Sequence, residues 1–200
     1  MSVLAVAGVV LLICAVAMTV TALVARRLGR VSVVDVTWGL LLVAAALACA
    51  LLADDDAWRS WLLAALVAVW GGRLAWHIYR RSKGHGEDPR HERMLGGPVN
   101  DGRFGLAVRK VFAVQGAAVW LVALPLMAAA VVDVRWTWLV WVGVVSWVVG
   151  LVFESVGDAQ LAAYRSQPRD RRPQVLDTGL WRYTRTRTTS ATRACGGASG

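Results

Sequence analysis

The chain has 200 residues, 57% of them hydrophobic, and a formal net charge of +9 at pH 7. Its mean hydropathy of +0.52 exceeds what the roughly half-apolar composition of soluble domains gives, so an ordinary soluble domain is excluded. The positive charge does not indicate nucleic-acid binding. The basic residues lie in loops between apolar blocks, where topology and anionic lipid explain them, and no nucleic-acid-binding motif accompanies them.

Five apolar blocks follow one another along the chain, each long enough to cross about 30 Å of hydrocarbon as a helix. Backbone groups find no water in lipid, so each block is predicted to be α-helical. The expected fold is all-α, a polytopic transmembrane helical bundle with about five spans. The predicted spans are Val3–Val24, Val33–Ala53, Trp58–Ile78, Val111–Val132 and Trp136–Val156.

The first block could be mistaken for a secretory signal. It lacks a basic region in front of it, it is long enough to cross, and its positive charges Arg26, Arg27 and Arg30 follow it. These features favour an uncleaved first span.

Lysines and arginines predict the orientation of the spans. They concentrate after the first, third and fifth spans, whereas the opposite side holds little but Arg59, Arg135 and the acidic run Asp54–Asp56. The positive-inside rule therefore places the N-terminus outside and the basic loops and the C-terminus in the cytoplasm. We expect a multi-pass protein of the cell membrane, with the lipid bilayer as its first partner.

Asp35 lies near the cytoplasmic start of the second span, in the stretch Asp35–Gly39. A carboxylate near hydrocarbon is costly and is a functional candidate by default. The alternative is a side chain close enough to the interface to reach water or to pair with Arg30. The sequence leaves both open.

A basic stripe is predicted on the third span. Arg73 and His77 are one helical turn apart, and Arg80 continues their face to the cytoplasmic boundary. The stripe suits a phosphate or carboxylate partner, although simple snorkelling of long side chains also explains it. Arg73 is the deeper of the two arginines and the better functional candidate.

The loop from Lys83 to Arg93 is dense in charge of both signs. Gly84, Gly86 and Pro89 predict a turn followed by a short helix. The loop is either solvated or a lid over a cofactor, with arginines for phosphates and carboxylates for ribose hydroxyls. Its histidines have no metal-ligand spacing, so no metal site is expected.

Glu154 and Asp158 are four residues apart at the cytoplasmic end of the fifth span, so they share one side of a helix. Two acids partly inside a bundle are costly unless they bind something. The alternative is a helix end that turns toward the basic loops.

The composition changes abruptly after Arg185. Residues 186–200 read TRTTSATRACGGASG, without a large apolar residue or an aromatic. Such a segment cannot bury enough apolar area to order itself. We therefore expect an integral membrane domain over residues 1–185, incomplete at its C-terminal end, and an aberrant disordered tail over residues 186–200.

A series of short motifs runs through the chain in a fixed order. The motifs are Asp35–Gly39, Trp70–Leu74 with Arg80, Gly86–Arg90, Gln115 with Pro125, Glu154–Gln160 and Gly179–Arg185. Together they resemble the steroid 5-alpha-reductase-like membrane oxidoreductases, in particular the bacterial branch called domain of unknown function 1295. The resemblance runs from about Val33 to Arg185. His91 departs from it, because a tyrosine is expected there.

The resemblance implies a helical membrane enzyme that uses NADPH from the cytoplasmic side. Its relatives reduce a carbon–carbon double bond conjugated to a carbonyl in a lipophilic substrate, adding hydride to the β-carbon and a proton to the α-carbon. The sequence names neither the catalytic acid nor the substrate. The resemblance assigns cofactor binding to Arg73, Glu87, Asp88, Arg90, Glu154, Asp158, Trp181, Arg182, Tyr183 and Arg185.

The family's last motif is expected to continue after Arg185 as His-Pro-Asn-Tyr-Phe-Gly, followed by another apolar span. Deleting one base from a gene that encodes this motif and a Trp-rich segment yields the order Thr186–Gly200. Codon degeneracy leaves several parent sequences open, but the family motif is allowed at every position. The sequence therefore suggests a one-base frameshift, in the gene or in its reading, and a chain impaired in NADPH binding.

Two other readings remain. An S-adenosylmethionine-dependent methyltransferase like the isoprenylcysteine carboxyl methyltransferases resembles this architecture and has a related Arg-His-Pro motif. A non-catalytic membrane protein or helical remnant is the other. The acids Glu154 and Asp158 and the segment Trp181–Tyr183 favour the reductase.

Overall fold

A computed structural model describes residues 2–53, 57–82, 87–96, 102–132, 136–168, 175–176, 179–183 and 188–189. Its elements form two compact units, residues 1–134 and 135–200. The helices of the first unit are α1 (Val3–Leu28), α2 (Val33–Leu51), α3 (Ala57–Ser82), α4 (Pro89–Leu95), α5 (Phe104–Ala107), a π-helical turn (Val108–Phe112), α6 (Ala113–Val122) and α7 (Leu124–Ala129).

The second unit contains the 30-residue helix α8 (Thr137–Ser166) and a short 3₁₀ helix (Gly179–Tyr183). Two strands of two residues each, β1 (Val175–Leu176) and β2 (Thr188–Thr189), pair antiparallel. β2 is the only part of the predicted tail 186–200 that the structure describes. The rest of the tail lies outside the described residues, so its predicted disorder stays a prediction.

The predicted all-α membrane fold is confirmed. Within the described ranges, five helices are long and apolar enough to cross a membrane. They are Val3–Leu28, Val33–Leu51, Trp58–Ser82, Phe104–Ala129 and Thr137–Ser166. Each overlaps one predicted span, but several begin or end at different residues.

The helix α1 shows why these blocks become helices with one packed side. The Ser2 hydroxyl accepts a hydrogen bond from the Ala5 N–H at 3.3 Å and caps its start. Gly29, at φ 65°, ends the helix in the left-handed conformation that glycine tolerates best. The side chains that face the core recur every three or four residues: Val6, Val10, Cys14, Met18, Thr21, Ala22 and Ala25.

The core of the first unit joins α1 and α2 with the fourth span. Phe112 and Met127 are its largest fully buried side chains, and Leu95 brings α4 into the same cluster. The Trp120 indole N–H donates to the Ala7 carbonyl at 3.0 Å and ties α6 to α1. Most of the other core residues are small or branched apolar side chains, as membrane helix packing favours.

The fourth span is less regular than the sequence predicted. It begins at Phe104 rather than Val111, and a π-helical turn interrupts it at Val108–Phe112. It then breaks at Ala123, between α6 and α7. Pro125 explains the break, because proline has no N–H to continue the helical ladder and is tolerated only in the first turn of a helix.

Candidate functional site

Two of the sequence motifs meet where α2 crosses α3. A Cβ atom on Gly39 would lie 2.6 Å from the Gly71 carbonyl oxygen, and one on Gly71 would lie 2.7 Å from the Gly39 carbonyl oxygen. The two backbones therefore approach as closely as glycine alone permits. This contact fixes the part of α3 that carries Arg73, two residues beyond Gly71.

The basic stripe of α3 changes from half-buried to exposed toward its C-terminal end. Arg73 is half-buried, whereas His77 and Arg80 are exposed. The Arg80 guanidinium lies 5.7 Å from the centroid of the Trp76 ring, within the range of a cation–π contact. Arg73 is thus the most buried member of the stripe, and Asp35 is half-buried on the neighbouring α2.

The segment that follows α3 is docked on the turn between α1 and α2. The Glu87 carboxylate accepts hydrogen bonds from the backbone N–H groups of Val31 and Ser32, the second at 3.0 Å. Arg30 in the same turn donates to the Ser82 carbonyl at 3.4 Å. Of the charged loop Lys83–Arg93, residues 83–86 lie outside the described residues.

Part of this loop is buried rather than solvated. The side chains of Glu87 and His91 are 9% and 11% exposed, and Glu87 Oε1 lies 3.5 Å from His91 Nδ1. The Asp88 carbonyl accepts the His91 N–H at 2.9 Å and starts α4. Arg90 lies in α4, but its side chain is outside the described residues. The predicted short helix is therefore present, whereas the turn predicted at Gly84 and Gly86 lies outside the described residues.

In the second unit, Glu154 and Asp158 lie one turn apart on α8, and both are half-buried. The sequence placed them at the cytoplasmic end of a span that ends at Val156. The helix instead continues to Ser166. Both acids are therefore within a continuous helix, where the i and i+4 positions share one side.

The last motif of the chain packs on the same stretch of α8. The Leu180 N–H donates to Gln160 Oε1 at 3.0 Å, and the Trp181 indole N–H donates to the Gly157 carbonyl at 3.2 Å. Gly179 has φ 62°, and a Cβ atom there would lie 2.5 Å from the Gln160 side chain. The positive φ therefore favours glycine at the start of this motif, and a larger residue would also displace the Gln160 side chain.

This packing brings part of the predicted site together. Trp181 is half-buried and Arg182 is exposed, and both lie on the 3₁₀ helix. This helix is hydrogen-bonded to Gly157 and Gln160 of α8, and Asp158 directly follows Gly157 in the sequence. Tyr183 lies in the same 3₁₀ helix, with its side chain outside the described residues. Arg185 also lies outside them. Arg73, Glu87 and Asp88 belong to the first unit.

Two features of the structure were missed in the sequence. Gln160 is part of a sequence motif that predicted no role for it, although its side chain accepts a hydrogen bond from the backbone of the last motif. The hydroxyl oxygens of Thr21 and Thr37 lie 3.2 Å apart between α1 and α2, and polar residues inside two adjacent spans were the available signal. Among the described residues, no group of three or more His, Cys, Asp or Glu could hold a metal ion.

A family model described as "Protein of unknown function (DUF1295)" matches residues 21–186. The chain belongs to this family. The DUF1295 match covers every motif identified in the sequence and ends where the composition changes. No curated protein and no solved structure matches the chain.

Proposed function

We propose that this DUF1295 chain is the membrane domain of an NADPH-dependent reductase acting on conjugated carbon–carbon double bonds in lipophilic, steroid-like or fatty substrates. The observation that carries the proposal is the docking of Gly179–Tyr183 on α8 beside Asp158. Two motifs that are separate in the sequence thereby come into contact, one carrying Glu154 and Asp158 and the other carrying Trp181 and Arg182. Family membership alone supplies no activity.

The side chains have the chemistry that a phosphate-bearing dinucleotide requires. Guanidinium groups pair with phosphates in a bidentate manner. Arg73 and Arg182 are the arginines with described side chains among the residues that the resemblance assigns to cofactor binding. Carboxylates accept hydrogen bonds from ribose hydroxyls, a role that suits Asp88, Glu154 and Asp158. Trp181 and Tyr183 add flat aromatic surfaces. Bound NADPH would supply the hydride; the chain's own residues bind and orient it.

The proposal includes the orientation of the spans. With the N-terminus outside, the ends of α3 and α8 that carry Arg80 and Arg165 face the cytoplasm, where NADPH is available. Exposed apolar side chains along the spans, such as Leu12 at 64% and Val149 at 62%, suit lipid contact.

The proposal also includes the loss of the C-terminal segment. The family match stops at residue 186, and the composition changes at Thr186. A one-base deletion accounts for both observations. The lost residues would supply the histidine, asparagine and tyrosine of the last motif and a further span, so this copy is impaired in cofactor binding.

Sequencing the coding DNA across codon 185 tests the deletion. The alternative frame is expected to encode His-Pro-Asn-Tyr-Phe-Gly and an apolar segment. An alternative frame without that motif would refute the deletion.

Cofactor titration tests the function. The 200-residue chain is expected to show no saturable binding at micromolar NADPH, and the frame-restored protein is expected to bind NADPH and not S-adenosylmethionine. Binding of S-adenosylmethionine alone would favour the methyltransferase. Saturable micromolar NADPH binding by the 200-residue chain would contradict the claimed impairment.

Alanine substitutions test the assigned residues. In the frame-restored protein, Asp158→Ala and Arg182→Ala are each expected to lower kcat/KM about 10- to 100-fold, because each removes a charged contact worth roughly 1.5–3 kcal/mol. Gly150→Ala, which meets no atom within 4 Å, is the control. Unchanged reductase activity would reject these residues, and absence of activity from the unsubstituted protein under all conditions would favour a remnant.

A further inference from the structure

Glu87 uses both of its carboxylate oxygens within the protein. Oε2 accepts the Val31 N–H, and Oε1 accepts the N–H groups of Ser32 at 3.0 Å and of Asp88 at 2.9 Å. Val31 and Ser32 directly precede α2, so two of the three donors lie in the turn that leads into this helix. An acid placed there satisfies buried backbone N–H groups and interacts favourably with the helix dipole.

The surroundings of Glu87 leave little room for another ligand. The side chain is 9% exposed, and the His91 imidazole lies beside Oε1. A carboxylate offers about four lone-pair positions, and three backbone donors fill most of them. A ribose hydroxyl would have to displace one of these backbone bonds, and the freed N–H would then be buried without a partner.

The segment that Glu87 holds is anchored at its other end as well. Leu95, the last residue of α4, is 4% exposed and belongs to the core cluster of the first unit. Arg30 adds a bond from the α1–α2 turn to the Ser82 carbonyl. Asp88 and the backbone of Arg90 lie between the two anchors, so their placement depends on both.

We propose that Glu87 is a positioning residue that fastens the segment Asp88–Leu95 to the start of α2 and does not itself contact the cofactor. It acts on NADPH binding through Asp88 and Arg90. The effect on cofactor binding rests on the function proposed above, whereas the fastening itself does not.

Amide hydrogen exchange tests the fastening in the 200-residue chain, purified in detergent. Glu87→Ala is expected to speed exchange at Val31 and Ser32 at least tenfold. Glu87→Gln keeps the length of the side chain but presents only one acceptor atom, so exchange is expected to rise at one of the two amides or at Asp88. Asp88→Asn removes the adjacent charge and leaves Glu87 in place. It is expected to alter exchange at Val31 and Ser32 less than twofold.

Unchanged exchange at Val31 and Ser32 in both Glu87 variants would overturn the proposal. If Glu87→Ala does not fold, Glu87→Gln alone decides the question, because it preserves the shape of the side chain, and unchanged exchange at Val31, Ser32 and Asp88 would then overturn the proposal. This readout requires no cofactor, so it stands even if NADPH does not bind the frame-restored protein.

NADPH affinity in the frame-restored protein separates positioning from direct contact. Glu87→Gln is expected to raise the Kd for NADPH about tenfold when binding is measured well below the unfolding temperature. Glu87→Gln is expected to raise the Kd by the same factor for an NADPH analogue that lacks the nicotinamide ribose hydroxyls. The reason is that the effects of a residue and of a ligand group that do not touch each other add. A penalty that vanishes with the analogue would identify a direct contact and overturn the proposal.

A stability control accompanies this measurement. Trp120→Phe removes the hydrogen bond from Trp120 to the Ala7 carbonyl and is expected to destabilise the fold without touching the Glu87 segment or an assigned cofactor-binding residue, so its Kd for NADPH is expected to stay within twofold. An equal rise in Kd for Trp120→Phe and Glu87→Gln would show that Glu87 matters only for overall stability, and would also overturn the proposal.

Discussion

Single atoms decide how closely α2 and α3 approach. Gly39 and Gly71 each lie against the carbonyl oxygen of the other, and Val43 also contacts the position of a Cβ atom on Gly71, at 2.8 Å. Gly72, one residue further along, has open space around it. All three glycines lie in motifs of the sequence. The sequence alone does not distinguish a glycine that close packing requires from one that could be replaced at no cost.

These three positions give a matched set of substitutions. Gly39→Ala and Gly71→Ala are each expected to lower the free energy of unfolding by about 1–3 kcal/mol, as overpacking does. Gly72→Ala is expected to leave it unchanged or slightly raised, because alanine favours the helix. SDS-induced unfolding of the purified chain measures the difference. Equal stability of all three variants would contradict the close crossing.

At the scale of elements, a hydrogen bond connects the first span to the fourth. Trp120 on α6 donates to the Ala7 carbonyl of α1, close to the contact between Gly116 and Met18, where a Cβ atom would lie 3.2 Å from Met18 Cγ. The tie crosses more than a hundred residues of sequence. No local pattern predicts it, because spacing along one helix carries no information about a partner so distant in the sequence.

Removing this bond is expected to loosen α6 from α1. Trp120→Phe keeps an aromatic ring but loses the donor, and is expected to cost about 0.5–1.5 kcal/mol of unfolding free energy. Trp141→Phe on α8, a position 56% exposed, is the control and is expected to cost less than 0.5 kcal/mol, as surface changes do. If the two variants lose equal stability, the bond does not hold the helices together.

Hydropathy predicted where the spans lie better than where the helices end. The number of spans and the all-α class followed from the length of the apolar blocks. The extra turns of α8 after Val156 did not, because polar residues such as Gln160 and Arg165 continue a helix in water as readily as apolar ones do in lipid. The π-helical turn at Val108–Phe112 and the break at Ala123 were not predicted, although Pro125 was an available signal for the break.

For the whole molecule, the sequence singled out candidate site residues but did not predict their contacts. Periodicity paired Glu154 with Asp158, and the order of motifs gave the family. The docking of Trp181 on Gly157 and the burial of Glu87 required the folded chain. Both are contacts between segments that are separate in the sequence, and local spacing carries no information about them.

The orientation of the whole chain can be measured with cysteine labels. In a Cys195→Ser background, where Cys14 and Cys49 are buried, Ser2→Cys is expected to react with an impermeant maleimide on intact cells. Ser166→Cys at the far end of α8 is expected to react only after permeabilisation. The positive-inside rule sets this expectation, and labelling of Ser166→Cys but not of Ser2→Cys in intact cells would reverse the topology.

The length of α8 has a consequence for the depth of its acids. Its 30 residues span about 45 Å, against roughly 30 Å of hydrocarbon. Trp136 and Trp138 stack at one end, with ring centroids 6.2 Å apart, and such indoles rest among lipid headgroups. Asp158 lies about 32 Å further along the helix axis. Its depth is therefore set by the distance from the tryptophans, which stay among the headgroups of one leaflet. Lipids with longer acyl tails would submerge both carboxylates, and shorter tails would lift them into water.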